Sequence, residues 1–522
     1  MTKKNKNIAI IGAGHNGLIC ATYLAKKGYV VNVYEARSEI GGMASTREFS
    51  KGYKVPGAAH LIHVLDEGIS SKLNLEKHGL EYAATNLKTV SLNPDGNPLI
   101  FDGDTITGDA ITLREQEEYK SFQQEMHRLA LFFKKTYQNK PPRLASGDSQ
   151  DLKGLASLGL NLRSMGDDSM SNMLKFIAIN IYDTLNEYFK DPFIKGSIAL
   201  DAVLGNHMGP RTNNSVITYL HQLTGKVNGS QGSYAMPKGG MSSLQLALQN
   251  AAQEAGVTIH TDSPVKQIKI NEENKVSGLI FKDGNEVDSD IVISGIDPKS
   301  TFMCLVGPKQ LEYDFVHKIN NIRMRGNASK VHLALSTLPK FKGVNKEDLG
   351  QRLIISPTME YLEQAFDFTK YQTCSNDLPM EIVIPTIYDS SLAPNGHHVL
   401  SAVVNYTPRS LDGGWASEKA NILDNVINTL NQYAPGIKDK ILHSELLSPE
   451  DIENEYGATG GQWHHGELTF DQFLMLRPAS GIAQYHTPID SLYLCGAGSH
   501  PGGGLMGLAG KNAATEIIAR EG

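Results

Sequence analysis

Residues 8–17 read IAIIGAGHNG, a short apolar run that opens into the pattern G-x-G-x-x-G. Apolar residues then recur at helical spacing through Leu18, Ala21 and Leu24, so the glycines fall between a strand and a helix. Such a loop lets the backbone approach a pyrophosphate, and the helix N-terminus behind it favours negative charge. The pattern predicts a dinucleotide site whose candidate contacts are Gly12, Gly14, His15, Asn16 and Gly17.

The second apolar strand, over residues 30–34, leads to Glu35, which stands 23 residues after Gly12. A carboxylate at that distance accepts hydrogen bonds from ribose hydroxyls and repels a 2'-phosphate. The adjoining Ala36 and Arg37 are further candidate contacts. A glycine turn without a ligand is the alternative, but the strand, the helix and the acidic residue together favour dinucleotide binding.

Gly41 and Gly42 form a second glycine pair, which Met43 and Ala44 follow. The pair could belong to a loop that merely crosses the sheet edge. Together with the first loop it resembles the E-x-x-x-x-x-G-G motif of FAD-binding flavoproteins. That resemblance implies that Glu35 holds the adenosine ribose and that residues 41–44 hold the pyrophosphate and ribityl region. NAD-dependent enzymes generally lack the second motif, so the resemblance implies FAD.

The 522-residue chain has the composition of a globular protein large enough for two domains, with 40% hydrophobic and 20% charged residues. Its formal net charge of -7 argues against nucleic acid as a partner. The cysteines are scattered, without C-x-x-C or metal-ligand spacing, so we expect no metal site and a reducing compartment. No apolar run is long enough to span a bilayer, which predicts a cytoplasmic protein that is soluble or peripheral to a membrane.

Two later segments return to the nucleotide-binding pattern. Residues 237–241 contain a glycine pair before an apolar helix, and short strands follow up to residue 294. Further on, an apolar strand over residues 492–495 runs into the glycine-rich residues 496–504 and then a helix. The N-terminus of that helix suits the negative charge that develops on a reduced flavin. A loose turn before a plain helix is the alternative.

The intervening segments, 76–236 and 303–470, carry a different pattern. Residues 117–137 keep helical spacing with more than one apolar stripe, and another apolar helical face follows at residues 170–188. These faces could form ordinary core, line a lipophilic cavity or contact a membrane, and core burial is favoured. Glycines spread between residues 141 and 166 predict a loop there. The aromatic and methionine side chains of these faces include Phe122, Met126, Phe132, Phe133, Met170 and Met173.

Taken together, the chain resembles the phytoene desaturase and carotenoid isomerase group of FAD-dependent oxidoreductases, including the pyridine nucleotide-disulfide oxidoreductase domain-containing proteins. The resemblance rests on residues 12–35, the two glycine pairs and the ending YLCGAGSHPGGG over residues 493–504. It implies an α/β fold with a discontinuous, Rossmann-like FAD-binding domain of the glutathione reductase type, into which an α+β substrate domain is inserted. The implied boundaries are 1–75, 237–302 and 471–522 for the FAD-binding domain, and 76–236 and 303–470 for the substrate domain. Further FAD contacts are implied at Val265, Gly496, Leu505 and Met506.

These features predict an FAD-dependent oxidoreductase of the desaturase or dehydrogenase type, which exchanges a hydride between flavin N5 and a lipophilic, polyene-like substrate. The alternatives are a redox-neutral isomerase that uses reduced FAD, an amine oxidase-like enzyme, and a flavin-holding binding or assembly protein. His60, after the small residues 57–59, and His465, before the flavin-binding return, are candidate catalytic residues, although each could be structural. With no second dinucleotide motif, we expect oxygen, a quinone or another acceptor to reoxidise the flavin.

Overall fold

The computed structural model describes residues 6–144 and 146–522. Strands and helices alternate through the first part of the chain and return to alternation near residue 234. The strands are β1 (Asn7–Ile11), β2 (Val30–Tyr34), β3 (Thr46–Ser50), β4 (Tyr53–Pro56), β5 (Tyr82–Leu87), β6 (Thr89–Ser91), β7 (Leu99–Asp102), β8 (Thr105–Thr107), β9 (Lys226–Val227), β10 (Ser230–Gln231), β11 (Tyr234–Pro237), β12 (Thr258–His260), β13 (Val265–Ile270), β14 (Val276–Phe281), β15 (Glu286–Asp288), β16 (Ile291–Ser294), β17 (Ala328–Leu335), β18 (Arg352–Ile355), β19 (Met380–Val383), β20 (His398–Asn405), β21 (Ile441–Leu447) and β22 (Leu492–Leu494).

The α-helices fall into two groups, those beside the nucleotide-type sheet and those of the intervening segments. Within residues 6–144 and 146–522, every helix is too short or too polar to cross a membrane. The helices are α1 (His15–Ala25), α2 (Glu67–Leu73), α3 (Leu113–Tyr137), α4 (Ser149–Arg163), α5 (Asp167–Ala178), α6 (Ile181–Tyr188), α7 (Pro192–Val203), α8 (Ser215–Gln222), α9 (Ser242–Glu254), α10 (Tyr313–Asn320), α11 (Met359–Lys370), α12 (Trp415–Tyr433), α13 (Pro449–Tyr456) and α14 (Leu508–Glu521).

A five-stranded parallel sheet has the order β12-β2-β1-β16-β22. Its central strand β1 lies between β2 and β16, with Ile8 opposite Val31 on one side and Ile291 on the other. Short apolar strands that are largely buried are typical of a parallel sheet covered by helices. Because β1 and β22 lie more than 480 residues apart in the chain, the sheet is assembled from distant segments. The fold is therefore α/β with a Rossmann-like sheet, as predicted.

Helix α1 packs against both α9 and α14 beside this sheet. The close packing depends on glycine. A Cβ at Gly17 would lie 2.3 Å from the carbonyl oxygen of Gly12, and one at Gly510 would lie 2.2 Å from that of Asn16. Helix α14 is therefore seated directly on the loop that begins α1.

A second sheet of eight strands has the order β21-β17-β20-β19-β18-β6-β7-β8. Of its described strand pairs, β18 and β6 are parallel and the others are antiparallel. All eight residues of β17 are buried, because both faces of this strand are covered. On one face, Val331 and Leu333 pack in a cluster with Trp415 and Leu430 of α12.

Helices α3 to α8 pack against one another. Helix α3 begins at a capping box, in which the Thr112 hydroxyl accepts from the Glu115 N–H at 3.2 Å and the Glu115 carboxylate accepts from the Thr112 N–H at 2.9 Å. The aromatic and methionine faces of these helices are packed in one hydrophobic cluster, which supports core burial for Phe122, Met126, Phe132, Phe133 and Met173.

The predicted loop between residues 141 and 166 is wrong, because residues 149–163 form α4. The Asp148 carboxylate caps this helix by accepting from the Gln150 N–H at 2.7 Å. Asp151 then anchors the helix, because its carboxylate accepts from the Gln484 side-chain amide at 2.7 Å and from Arg143 at 2.9 Å. Such tertiary contacts offset the roughly 1 kcal/mol that each interior glycine costs a helix.

Candidate functional site

The first glycine loop joins β1 to α1 at the carboxyl end of the parallel sheet. Gly12 has a φ of +93°, and its N–H donates to the Tyr34 carbonyl oxygen at 2.8 Å. Gly14 has an ordinary φ of -72°, and a Cβ there would meet no atom of the described residues within 4 Å. Packing does not require glycine at position 14, so the close approach of a ligand to the backbone is the remaining reason for it.

Glu35 follows β2, and its carboxylate reaches back to the same loop. Its Oε2 accepts from the Ala13 N–H at 2.8 Å, and its Oε1 accepts from the Arg37 N–H at 3.1 Å. These bonds hold the carboxylate at the sheet edge and leave each oxygen a lone pair for a ribose hydroxyl. Ala36 is exposed, whereas the Arg37 guanidinium lies 4.8 Å from the centre of the Tyr456 ring.

The second glycine pair packs against the first loop. Gly41 has a φ of +106° and donates its N–H to the Ala13 carbonyl oxygen at 3.0 Å, and Gly42 has a φ of +54°. The Met43 carbonyl oxygen accepts from the N–H groups of residues 58 and 59 at 3.0 and 3.2 Å. Through these bonds the second loop fixes the small residues that precede His60. We call residues 12–17, 35–37 and 41–44 the glycine cradle.

Three other predicted contacts lie in or beside this cradle. Asn16 is buried in the first turn of α1, and its Oδ1 accepts from the Gly510 N–H at 3.4 Å. Ala44 is buried at the end of the second loop. Val265 begins β13, two residues after Ser263, whose N–H donates to the Glu35 carbonyl oxygen at 2.8 Å. The cradle and the start of β13 are thus joined through Glu35.

The glycine-rich stretch after β22 approaches the cradle from the other end of the chain. Gly496 follows this strand closely, and a Cβ there would lie 2.5 Å from the Gly295 carbonyl oxygen. Leu505 and Met506 are buried just before α14, and the Met506 carbonyl oxygen accepts from the Asp66 N–H at 3.1 Å. Backbone contacts therefore hold Gly496 and Met506, and Leu505 is buried beside them.

The residues of the cradle fit FAD. Buried polar atoms in and beside it have no hydrogen-bond partner among the described residues, namely Nε2 of His15, Nη1 of Arg37 and both side-chain amide atoms of Gln245. Buried polar groups normally have partners, so their presence here indicates a polar ligand. The open Cβ positions at Gly14 and Gly42 provide room for such a ligand next to the backbone.

His60 contacts a row of ionisable side chains, three of which stand in strands of the second sheet. Its Nδ1 lies 2.8 Å from Lys330 Nζ, and its Nε2 lies 2.6 Å from Glu381 Oε1. Glu381 pairs in turn with Arg352, which also pairs with Asp201. Lys330, Arg352, Glu381 and His60 are all buried. We call these five side chains the buried charge chain.

The charge chain sets unusual protonation states. Burial, and then the neighbouring Lys330, lower the pKa of His60 to about 4, so its imidazole is neutral at pH 7. Burial lowers the pKa of Lys330 to about 7, although Glu381 opposes this shift. For Glu381 burial raises the pKa, but Arg352 and His60 outweigh it and hold the pKa well below its usual range. A neutral His60 that donates from Nε2 to Glu381 leaves Nδ1 to accept from Lys330.

His465 lies in a different environment. It has a φ of +56°, and it lies near His15 of the first glycine loop, so that after burial it is the next cause of the lowered pKa of His15. Burial lowers the pKa of His465, and its Nδ1 has no partner among the described residues. The loops around it are held by the fully buried Arg477, which donates to the carbonyl oxygens of Ala497 at 2.9 Å and Gly466 at 3.2 Å. The structure therefore places the two predicted catalytic histidines in separate surroundings.

Two cavities adjoin the buried charge chain. The smaller, of about 20 Å³, touches His60 and has room for about one water molecule, which is too little for a polyene. The larger, of about 130 Å³, is lined by Asp201 among others. The six side chains named from the sequence for a lipophilic pocket line neither cavity, namely Phe122, Met126, Phe132, Phe133, Met170 and Met173. The apolar lining of the smaller cavity includes Val55, Met236, Met241, Val383 and Leu392.

Sequence reasoning missed four members of the charge chain, Lys330, Arg352, Glu381 and Asp201. Three of them stand inside the otherwise apolar strands ASKVHLAL, RLII and MEIV. A charge within an apolar strand is a signal for a buried ion pair or a functional site. Their meeting depends on the strand order of the second sheet, which no local pattern shows.

Solved structures of oxidases share this fold. Putrescine oxidase bound to putrescine matches with a TM-score of 0.60 at 17% identity, over 99% of both chains. An oxidoreductase from Methanosarcina mazei matches with a TM-score of 0.60 at 16% identity, over 98% of this chain and 100% of that one. At such identities the likeness shows the fold.

Relatives in sequence are nearer. The chain is 32% identical to pyridine nucleotide-disulfide oxidoreductase domain-containing protein 2 from Rattus norvegicus, over 99% of this chain and 94% of that protein. It is 26% identical to 4,4'-diapolycopen-4-al dehydrogenase from Metabacillus indicus, over 95% and 94% of the two chains. It is 23% identical to a lycopene-forming phytoene desaturase from Pantoea ananas, over 66% of each. The predicted resemblance is confirmed.

The family match covers nearly the whole chain. Residues 17–518 match the model of flavin-containing amine oxidoreductases. The cofactor is FAD, as the cradle indicates, and the protein is an FAD-dependent oxidoreductase. The chain belongs to the flavin-containing amine oxidoreductase family.

Proposed function

We propose that this protein is an enzyme of the desaturase or dehydrogenase type that exchanges a hydride between FAD and a lipophilic, polyene-like substrate. The contact of Lys330 with His60 carries the proposal, because it puts a lysine of pKa about 7 beside the segment that the glycine cradle holds. The substrate class is supported by the relatives named for 4,4'-diapolycopen-4-al and phytoene. FAD supplies hydride transfer at its N5 atom.

The proposed roles of the side chains follow from their contacts. Desaturation of a CH2–CH2 unit gives up one hydride and one proton. In its neutral form Lys330 accepts that proton, and Nδ1 of His60 orients its Nζ. Glu381 fixes the His60 tautomer by accepting from Nε2. We also propose that His465 acts beside the flavin, because it neighbours His15 of the glycine cradle.

We further propose a cytoplasmic protein that meets membranes at their surface, where a lipophilic substrate is dissolved. Exposed leucines on α4 and α5 support this, since Leu152, Leu160 and Leu174 are 58%, 67% and 60% exposed. Flotation with phosphatidylcholine vesicles tests it. Wild-type protein should float, and Leu160→Asp should float less. Equal flotation of the two proteins would contradict the role of this face.

Anaerobic reduction of the bound flavin tests the enzymatic proposal. Phytoene in detergent micelles should bleach the flavin absorbance, whereas putrescine should not. Lys330→Met should slow bleaching by about 100-fold or more, the usual contribution of a positioned acid or base. Lys346→Met, which changes an exposed lysine, should leave the rate unchanged.

The other functions give different outcomes in the same experiment. Bleaching by putrescine alone would indicate an amine oxidase-like enzyme. Conversion of phytoene only after the flavin has been reduced with dithionite would indicate an isomerase. A flavin that neither compound bleaches, in a protein that turns over neither, would indicate a binding or assembly protein. Oxygen or a quinone added afterwards should restore the flavin absorbance if the proposed acceptors are right.

A further inference from the structure

The larger cavity lies between helices α3, α7 and α8 and the residues after β7 and β9. Its volume is about 130 Å³. An engineered cavity of about 150 Å³ in another protein binds benzene, so this one holds about one ring-sized group. Its walls include Phe101, Tyr119, Tyr219 and Tyr234. Rings pack favourably against such aromatic side chains.

Hydrogen bonds hold the polar groups of one wall in place. The side-chain nitrogen of Gln123 donates to the hydroxyl oxygens of Tyr119 at 3.0 Å and Tyr219 at 2.8 Å. Tyr119 donates its own proton to the Gly103 carbonyl oxygen at 3.3 Å. The Tyr219 hydroxyl accepts from Gln123 but donates to none of the residues that the structure describes. Its proton is therefore available to a ligand.

Asp201 brings negative charge to the same cavity. Its carboxylate pairs with Arg352, which also pairs with Glu381, so two carboxylates share one guanidinium. The Arg352 guanidinium lies 4.6 Å from the centre of the Tyr234 ring, which leaves it little freedom to move. The Asp201 side chain remains 22% exposed. Burial raises the pKa of Asp201 in spite of Arg352, so a further hydrogen-bond donor would stabilise its charged form.

We propose that this cavity is a binding site for a ring-sized group that carries a hydroxyl. One hydroxyl can donate to the Asp201 carboxylate and accept the proton of Tyr219. An ammonium group would leave Tyr219 without an acceptor, and Asp201 would repel a carboxylate. A hydrocarbon ring would leave both polar groups without a partner, which costs binding free energy.

This site is separate from the proposed hydride transfer. Asp201 and Lys330 stand at opposite ends of the buried charge chain, with Arg352, Glu381 and His60 between them. A carboxylate has enough lone pairs to accept from Arg352 and from a ligand hydroxyl together, so binding at Asp201 does not require the ion pair to break.

Calorimetric titration of the FAD-loaded protein with phenol tests the site. We expect one phenol to bind saturably. Toluene and benzylamine should bind with an affinity that is lower by about tenfold or more. Asp201→Asn and Tyr219→Phe should each weaken phenol binding by about tenfold. Asp95→Asn and Tyr313→Phe change exposed residues of the same types and should leave phenol binding unchanged.

The outcomes are distinguishable. If Asp201→Asn fails to fold because Arg352 loses a partner, Tyr219→Phe decides, since it removes a single oxygen atom. The proposal is overturned if toluene binds as tightly as phenol, if benzylamine binds more tightly, or if phenol does not bind. Because the titration needs no turnover, failure of the proposed hydride transfer would not change its result.

Discussion

Gly14 and Gly17 stand three residues apart in the first glycine loop, but they exclude a side chain for different reasons. A Cβ at Gly17 would lie 2.3 Å from the Gly12 carbonyl oxygen, whereas one at Gly14 would meet nothing within 4 Å among the described residues. We therefore expect the first glycine of this pair to serve the ligand, whereas the second serves the packing of α1.

Alanine at each position should separate these roles. Gly14→Ala should keep the wild-type melting temperature and lose FAD affinity by about tenfold or more, because its methyl group occupies the path of the pyrophosphate. Gly17→Ala should destabilise the protein by about 1–3 kcal/mol through overpacking. Scanning calorimetry and the FAD content after gel filtration measure the two effects. Retention of full FAD affinity by Gly14→Ala would contradict the assignment of the loop.

The lowered pKa of Lys330 makes the free energy of unfolding depend on pH, and the direction of the shift determines the sign of that dependence. Its pKa is about 7 in the folded protein and about 10.4 in the unfolded chain. Between these values the unfolded chain binds one more proton, so the free energy of unfolding rises with pH, by at most about 1.4 kcal/mol per pH unit.

We therefore expect the stability of wild-type protein relative to Lys330→Met to increase from pH 7 to pH 9. Melting temperatures of both proteins at each pH provide the measurement. Lys346→Met, at an exposed position, should show no such trend against wild type. If the difference in melting temperature between wild type and Lys330→Met stays constant or falls from pH 7 to pH 9, Lys330 has an ordinary pKa in the folded protein.

At the scale of elements, local patterns were enough to predict the single strands and the glycine loops, and the family resemblance implied the Rossmann-like sheet that joins them. Each depends on neighbouring residues, such as the apolar run before Gly12. The contact of His60 with Lys330 joins residues 270 positions apart and arises only when β17 pairs with its neighbours. Helix α4 was missed for a related reason, since Asp151 gains its hydrogen bond from Gln484 of a distant segment. The charge chain and helix α4 could not be predicted, because each depends on contacts between residues that are distant in the sequence.

Helix α14 offers a prediction at this scale. A side chain at Gly510 would press on the Asn16 backbone and push α14 away from the first glycine loop. Gly510→Ala should therefore lower stability by about 1–3 kcal/mol and weaken FAD retention as well. Thr515→Ala, on the exposed side of the same helix, should do neither. If Gly510→Ala retains FAD as wild type does, the packing of α14 does not position the loop.

For the whole molecule, the question is which molecules supply electrons to the flavin and which accept them from it. The pattern G-x-G-x-x-G occurs at residues 12–17 and again at residues 502–507, but only the first match directly follows a strand and then opens into a helix, as a dinucleotide site does. We expect that first loop to hold FAD. The structure does bring two buried thiols near each other, since Cys495 helps to raise the pKa of Cys20, a proximity that their spacing in the sequence concealed. Both are buried, and burial raises the pKa of Cys20, so this pair is a poor source of reactive thiolate.

NADPH should therefore fail to reduce the flavin at a catalytic rate. Anaerobic stopped-flow mixing with NADPH should leave the flavin spectrum unchanged over seconds, while dithionite bleaches it. Cys20→Ser should behave as wild type in both reactions. Bleaching by NADPH within the time of one turnover would require a second nucleotide site.

The strands of the parallel sheet come from distant segments of the chain, and this affects how the protein folds during synthesis. Residues 7–34 leave the ribosome early, but β22 and α14, against which they pack, are translated hundreds of codons later. Until residue 521 has emerged, the apolar surface of α1 that α14 covers has no partner, and domains generally fold as units. We therefore expect loading with FAD to follow translation of residue 521, and in the interval the surface of α1 that α14 covers stays open.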